Sequence, residues 1–137
     1  MKRLVRRIFT IATLLTISVI GLTSAPAFAA TEFPHGYVFP INQPFDNSHG
    51  RLIFQSDGNL VVYNEFGQPL WSTNTRFEGK QLTFQGDGNL VMADGFNRAV
   101  WTSNTSGTGF RMIWQDDGNL VISDLANHAV WATNTSH

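Results

Sequence analysis

Cysteine is absent from this sequence of 137 residues. Its absence excludes disulfide bonds, thiolate metal sites and a cysteine nucleophile, so noncovalent packing must hold the fold together. Charged residues are also scarce, at 14 %, whereas hydrophobic residues make up 42 % and include 11 phenylalanines. This composition excludes a disordered tail and a charge-rich helical protein, and it predicts one globular domain with an aromatic core.

The N-terminus has the pattern of an export signal. Basic residues occupy four of the first seven positions, an apolar run covers residues 8–20, and Ala27 and Ala29 are the small residues that signal peptidase requires. At about 1.5 Å per residue, this run is too short to cross a hydrocarbon layer of roughly 30 Å. We therefore predict that residues 1–29 are a signal peptide and that the mature domain, residues 30–137, is secreted or periplasmic.

Removal of this leader leaves an acidic domain. The leader contains four of the nine Lys and Arg residues and none of the ten Asp and Glu residues, so the mature domain carries a net charge of −5. An acidic surface without a basic cluster repels phosphate backbones and anionic lipid heads. We therefore predict that neither nucleic acid nor a membrane is a partner, and that the ligand is neutral.

A 30-residue unit occurs three times in the mature domain. The strings QSDGNLVVY, QGDGNLVMA and QDDGNLVIS begin at Gln55, Gln85 and Gln115, and a Trp-x-x-Asn-Thr string follows each of them. The units cover residues 46–75, 76–105 and 106–135. Short β-prone runs alternate with turn signals in every unit, so we predict about three strands per unit and an all-β domain without helices.

The repeated apolar positions predict a shared core. Each unit is too small to bury its own apolar face, so three units should surround one interior with pseudo-threefold symmetry. Three tryptophans should meet near the axis, beside one inward strand face and one layer of aromatic residues. These sets are Trp71, Trp101 and Trp131; Leu60, Leu90, Leu120, Val62, Met92 and Ile122; and Phe54, Phe84 and Trp114. The proline-containing segment 31–45 should complete one sheet or cap one end.

A polar pattern in each unit suits a ligand with many hydroxyl groups. In the first unit, Gln55, Asp57, Asn59, Val61 and Tyr63 are two residues apart, and the Asp-Gly turn folds the polar groups toward one patch. A carboxylate, two amides, a phenol and an apolar surface match the hydroxyls and the C–H face of a sugar ring. Asp-Gly-Asn alone is also common in hairpin turns, but a turn requires neither the glutamine nor an outward valine and tyrosine.

The string QxDxNxVxY, the Trp-x-x-Asn-Thr ending and the threefold repeat resemble the bulb-type mannose-binding lectins of monocot plants. The resemblance covers essentially the whole mature domain and implies a β-prism II fold, with three four-stranded antiparallel sheets around a tryptophan-lined axis. It implies mannose binding without a metal or any other cofactor. It also implies that Asp57 and Asn59 hold the sugar O2. By the same resemblance Gln55 holds O3, Tyr63 holds O4, and Val61 packs on the ring carbons.

Only the first unit carries the complete pattern, because Ala93 and Ser123 replace the tyrosine in the other two. Loss of one neutral hydrogen bond weakens binding by roughly twofold to tenfold, so the other two sites are predicted to be weak rather than absent. Their residues are Gln85, Asp87, Asn89 and Val91 in the second unit, and Gln115, Asp117, Asn119 and Val121 in the third. The resemblance also makes a homodimer formed by strand exchange an option that the sequence leaves open.

The sequence shows no residues arranged for catalysis or metal binding. Its four histidines lack metal-ligand spacing, and the adjacent Asp116 and Asp117 would point to opposite faces of a strand. It contains no recognised nucleophile motif or phosphate-binding loop. We therefore predict a carbohydrate-binding protein that is not an enzyme. The alternative is a lectin-like antibacterial or protein-interaction module whose sugar binding is vestigial.

Overall fold

A computed structural model describes residues 30–137, and the predicted signal peptide lies outside the described residues. The described chain folds into twelve short strands. They are β1 (Thr31–Phe33), β2 (Tyr37–Val38), β3 (Pro44–Asn47), β4 (Gly50–Phe54), β5 (Leu60–Asn64), β6 (Pro69–Ser72), β7 (Gln81–Phe84), β8 (Leu90–Ala93), β9 (Ala99–Thr102), β10 (Arg111–Trp114), β11 (Leu120–Ser123) and β12 (Ala129–Ala132). Within this part of the chain, no helix has the length and apolarity to cross a membrane.

The strands form three four-stranded antiparallel sheets, one built on each unit. The first sheet has the order β3-β4-β5-β6, the second β2-β7-β8-β9 and the third β1-β10-β11-β12. Each sheet therefore takes three consecutive strands from its unit, because the Asp-Gly turn and the following turn connect neighbouring antiparallel strands. The predicted all-β architecture of three sheets is confirmed.

The segment before the repeat supplies one outer strand to every sheet. β1 pairs with β10, β2 with β7, and β3 with β4. The expectation that residues 31–45 complete one sheet or cap one end was therefore wrong. Pro34 and Pro40 lie between the three short strands, and proline lacks the N–H group that a continuous ladder of hydrogen bonds needs. The segment is thus divided into pieces that pair separately.

The repeated apolar residues fill the space between the sheets, as predicted. The indole rings of Trp71, Trp101 and Trp131 lie 5.6, 5.7 and 5.8 Å apart between centroids, with interplanar angles of 69–73°. Edge-to-face contacts of this kind are the arrangement that aromatic rings prefer. Around them lie the fully buried side chains of Leu52, Phe54, Leu60, Val62, Leu82, Phe84, Leu90, Met92, Met112, Trp114, Leu120 and Ile122.

Candidate functional site

The first sheet carries the complete polar pattern on β4, β5 and the turn between them. The turn closes with two backbone hydrogen bonds of 2.9 Å, from the N–H of Gln55 to the carbonyl of Asn59 and from the N–H of Gly58 to the carbonyl of Gln55. Gly58 has a φ of 93°, which a residue with a side chain adopts only at a cost. The chain therefore reverses here and brings Gln55 back beside Asn59. We call Gln55, Asp57, Asn59, Val61 and Tyr63 the first-sheet cluster.

Within this cluster, Tyr63 and Gln55 are joined by a hydrogen bond. The Tyr63 hydroxyl donates to Oε1 of Gln55 at 2.9 Å, and both side chains are half-buried. Since the amide oxygen is occupied, the Gln55 NH2 group remains to donate to a ligand, and the phenol oxygen remains to accept. Tyr63 thus orients Gln55 in addition to offering its own hydroxyl group.

Val61 lies beneath that hydrogen bond and is only 3 % exposed. In the register of β4 and β5, Tyr63 pairs with Arg51, and Val61 pairs with Ile53. The Val61 pair therefore lies between Tyr63 and the turn that carries Gln55. A bond from Tyr63 to Gln55 must therefore span the row of Val61 and cover it. The expectation of an open apolar surface at Val61 is not met, because the polar pair above it excludes solvent.

Asn59 braces the fold through one end of its side chain. Its Oδ1 accepts hydrogen bonds from the Thr73 hydroxyl and the Thr75 N–H, both at 3.1 Å. Within the described residues, every hydrogen bond of the Asn59 side chain uses Oδ1, so Nδ2 can donate to a ligand. Asn59 therefore has the structural role that the sequence allowed, and its Nδ2 leaves a ligand role open.

Asp57 lies at the turn, and both of its carboxylate oxygens accept hydrogen bonds. Oδ1 accepts from the N–H of Asn59 at 3.0 Å, and Oδ2 accepts from Nε of Arg76 at 3.2 Å. The Asp57 side chain is 28 % exposed and that of Arg76 is 61 % exposed. A carboxylate oxygen can accept more than one hydrogen bond, so Oδ2 remains open to a hydroxyl group. Sequence reasoning missed Arg76, although it directly follows the recurring Trp-x-x-Asn-Thr string.

The second sheet repeats the turn and the asparagine brace around Gln85, Asp87, Asn89 and Val91. Asn89 Oδ1 accepts from Ser103 and from the N–H of Thr105, both at 3.1 Å. The Ser106 hydroxyl donates to Asp87 Oδ2 at 2.7 Å and, together with the N–H of Asn89, lowers the pKa of Asp87 below its ordinary value. We call these four pattern residues the second-sheet cluster.

Ala93 makes the second-sheet cluster open where the first is closed. A cavity of about 310 Å³ lies over it, lined by Gln81, Thr83, Gln85, Val91, Ala93, Asn97 and Ala99. Without a phenol, Gln85 has no partner at the position of Tyr63, and its side chain is exposed. Val91 is half-buried instead of buried. The methyl group of Ala93 is therefore the reason for the open space.

The third-sheet cluster, Gln115, Asp117, Asn119 and Val121, has the same hairpin, but a buried serine takes the place of Ala93. Asn119 Oδ1 accepts from the Thr133 hydroxyl at 3.0 Å and the Thr135 N–H at 3.2 Å. Ser123 is only 6 % exposed and pairs in register with Arg111. Two hydrogen bonds of 2.9 and 3.0 Å hold the Arg111 guanidinium to Glu32 of β1. The third cluster therefore lacks the tyrosine of the first, and the residue at that position is buried beneath a fixed arginine side chain.

The chemistry of the clusters is that of hydrogen bonding to neutral groups. In the first sheet, one carboxylate, two amide NH2 groups and a phenol lie around a single hairpin turn. Within residues 30–137, no group of three or more His, Asp or Glu side chains is arranged to hold a metal ion. Donors and acceptors in alternation are what a polyhydroxylated ring requires.

No protein-family model and no curated protein matches this chain. Solved structures do match it. A monomeric mannose-binding lectin of Gastrodia elata is 32 % identical, aligns 80 % of this chain with 100 % of its own, and has a TM-score of 0.68. The snowdrop (Galanthus nivalis) agglutinin complexed with methyl-α-D-mannoside is 31 % identical, with 80 % and 99 % coverage and a TM-score of 0.58. The Polygonatum cyrtonema lectin complexed with monomannoside is 32 % identical, with 80 % and 98 % coverage and a TM-score of 0.58.

Three antiparallel sheets around a tryptophan axis, each with a polar hairpin cluster, define a lectin with the β-prism II fold. The relatives with at least 30 % identity align over nearly their whole length. The chain belongs to the family of bulb-type monocot mannose-binding lectins.

Proposed function

We propose that this protein is a secreted, non-enzymatic lectin that binds mannose or mannose-rich glycans without a metal, chiefly through the first-sheet cluster. The observation that carries the proposal is the hydrogen bond from Tyr63 to Gln55, which orients an amide donor and a phenol acceptor side by side. The snowdrop and Polygonatum relatives, described as complexes with mannosides, support mannose as the sugar.

Each member of the cluster has a separate task in this proposal. Nδ2 of Asn59 donates to the same sugar hydroxyl whose hydrogen Asp57 accepts. The Gln55 NH2 group donates to a neighbouring hydroxyl, and the Tyr63 oxygen accepts from the next one. Val61, only 3 % exposed, supports the Tyr63–Gln55 pair from below.

Single monosaccharides bind shallow sites of this kind with dissociation constants near 1 mM, about −4 kcal/mol. Useful affinity then requires several sites to engage one glycan. The unequal clusters on the three sheets suit this behaviour, with the first as the anchor and the second and third as weaker contacts.

Calorimetric titration of the secreted protein with mannose and with a branched mannoside tests the proposal. We expect saturable binding that EDTA leaves unchanged. Asp57→Asn should weaken it by about tenfold, because hydrogen bonds to a charged acceptor are stronger than those to a neutral one. Asp117→Asn is the matched control, since it makes the same change on the third sheet and should leave the strongest binding intact.

The opposite outcome favours the alternative class. Absence of heat for both sugars with the unmodified protein, together with killing of neighbouring bacterial cells, would identify an antibacterial or protein-interaction module with vestigial sugar binding. N-terminal sequencing of the exported protein tests secretion separately, because cleavage after residue 29 predicts a mature chain that begins at Ala30.

A further inference from the structure

Arg76 and Phe77 lie directly beside the first-sheet cluster. The Phe77 N–H donates to the Asp57 carbonyl at 2.6 Å, and Arg76 Nε lies 3.2 Å from Asp57 Oδ2. The Arg76 guanidinium also stacks over the Phe77 ring, 4.8 Å from its centroid. The ring itself is on the surface, since Phe77 is 76 % exposed. The polar cluster thus continues into an exposed aromatic side chain.

Phe77 keeps this position in spite of backbone strain. Its φ is 69°, and every other non-glycine residue of the described chain with a positive φ is an asparagine. The equivalent residue of the second unit is Gly107, with a φ of 81°. A bulky side chain in this region is unfavourable, and an exposed ring recovers nothing from the core. Strained residues of this kind mark functional positions when they persist without a packing reason.

The Phe77 ring also forms one wall of a cleft of about 560 Å³, a size typical of small-molecule sites. Phe96, 81 % exposed on the turn between β8 and β9, belongs to the same cleft. Glu78, Lys80 and Arg98 also line this cleft and contribute polar groups to it. Aromatic faces can cover the C–H face of a sugar, while the charged groups can pair with its hydroxyls.

We propose that Arg76, Phe77 and the cleft toward Phe96 form an extension of the first site. It holds further sugar residues of a neutral oligosaccharide whose terminal hexose occupies the first-sheet cluster. This inference rests on the proposed function and specifies its ligand as an oligosaccharide. The hydrogen bond from the Phe77 N–H to the Asp57 carbonyl joins the extension to the cluster.

The charges along the extension favour a neutral glycan over an anionic one. The first-sheet cluster, the adjoining Arg76 and the cleft together contain three acidic and three basic residues. The acidic residues are Asp57, Glu78 and Asp94, and the basic residues are Arg76, Lys80 and Arg98. Two of the basic side chains are already paired with two of the carboxylates. No net field remains to select an anion.

The substitution Phe77→Gly tests the extension, because it restores the residue type of the second unit and relieves the strain. We expect affinity for a branched oligomannoside to fall by about threefold to tenfold, since the apolar contact is lost. Affinity for methyl-α-mannoside should be unchanged, and the melting temperature should be equal or higher. Phe96→Ala should show the same selective loss. Phe66→Ala is the matched control, because Phe66 is equally exposed, at 80 %, but lies outside the cleft.

The outcomes separate the two proposals. Unchanged oligosaccharide binding in Phe77→Gly, or an equal loss for both sugars, would overturn the extension but would not contradict the proposed function. A shift from dimer to monomer in Phe77→Gly with unchanged sugar binding would assign the cleft to a second copy of the chain and would also overturn it. Absence of monosaccharide binding by the unmodified protein would overturn the proposed function and the extension together.

Discussion

The first-sheet and second-sheet clusters have the same backbone conformation but differ in the side chains that cover them. Both have the same hairpin turn, and in both an asparagine Oδ1 accepts two hydrogen bonds at 3.1 Å. They diverge at one position, where Tyr63 bridges to Gln55 and Ala93 leaves a cavity of about 310 Å³. One side chain thus determines whether the cluster presents a connected polar pair or an open pocket.

The repeated pattern therefore combines two roles. Asparagine and the hydroxyl residues near it brace the fold on all three sheets, so each unit keeps them whether or not it binds a ligand. Tyr63 has no such bracing role, since its hydroxyl bonds only to another surface residue of the cluster within the described chain. Recurrence of the pattern therefore identifies structural units, and we propose that the residue at the tyrosine position distinguishes the binding sites.

The largest effect is expected from removal of the shared brace. Asn59→Ala and Asn89→Ala each leave a threonine N–H and a buried hydroxyl without their acceptor, which should lower the free energy of unfolding by about 2 to 4 kcal/mol. Urea unfolding of both variants measures this. Only Asn59→Ala should also lose mannose binding. Loss of mannose binding by folded Asn89→Ala would contradict the assignment of the main site to the first sheet.

A smaller effect is expected from making the second cluster resemble the first. Ala93→Tyr places a phenol in the existing cavity, within reach of Gln85, and should raise the affinity of the second site for mannose by about threefold to tenfold. Calorimetric stoichiometry should then increase toward two sugars per chain. An unchanged stoichiometry, in a folded variant, would show that the tyrosine does not distinguish the sites.

Ser123→Tyr is the matched comparison on the third sheet. Ser123 is buried opposite an Arg111 that Glu32 holds in place, so the larger ring has no space. We expect no gain in binding and a loss of about 1 to 3 kcal/mol of stability from overpacking. Equal gains at both positions would mean that the cavity is irrelevant.

The smallest effect is expected from a pH-dependent contact between His137 and Glu65, which lies in the turn between β5 and β6 of the first sheet. His137 donates to the Thr135 carbonyl and to Glu65, and these hydrogen bonds raise the pKa of His137 above its ordinary value. A group with a higher pKa in the folded than in the unfolded protein stabilises the fold at pH values below its unfolded-state pKa. This stabilisation disappears as the pH rises through the pKa of the group in the folded protein. Between pH 5 and pH 8, the melting temperature should therefore fall slightly more for the unmodified protein than for His137→Gln. Identical pH profiles would show that the contact does not form in solution.

The 30-residue period predicted the fold correctly because each unit contains its own hairpin turns and strand faces. Those signals are local, so they survive in any tertiary context. The pairing of β1, β2 and β3 with three different sheets was not predictable, because it joins residues far apart in the chain. Arg76 was missed for a related reason, since its ion pair with Asp57 joins the first residue of the second unit to the hairpin turn of the first unit.

By itself, the amino-acid sequence determined the all-β class, the three units, the apolar core and the positions of the polar clusters, since periodicity and turn chemistry act over a few residues. Contacts between distant parts of the chain determine that Val61 and Ser123 are buried and that a cavity opens at Ala93. They also place Phe77 and Phe96 in one cleft. The physical reason is that exposure depends on which side chains distant strands and loops bring over a given residue, and no local pattern encodes that.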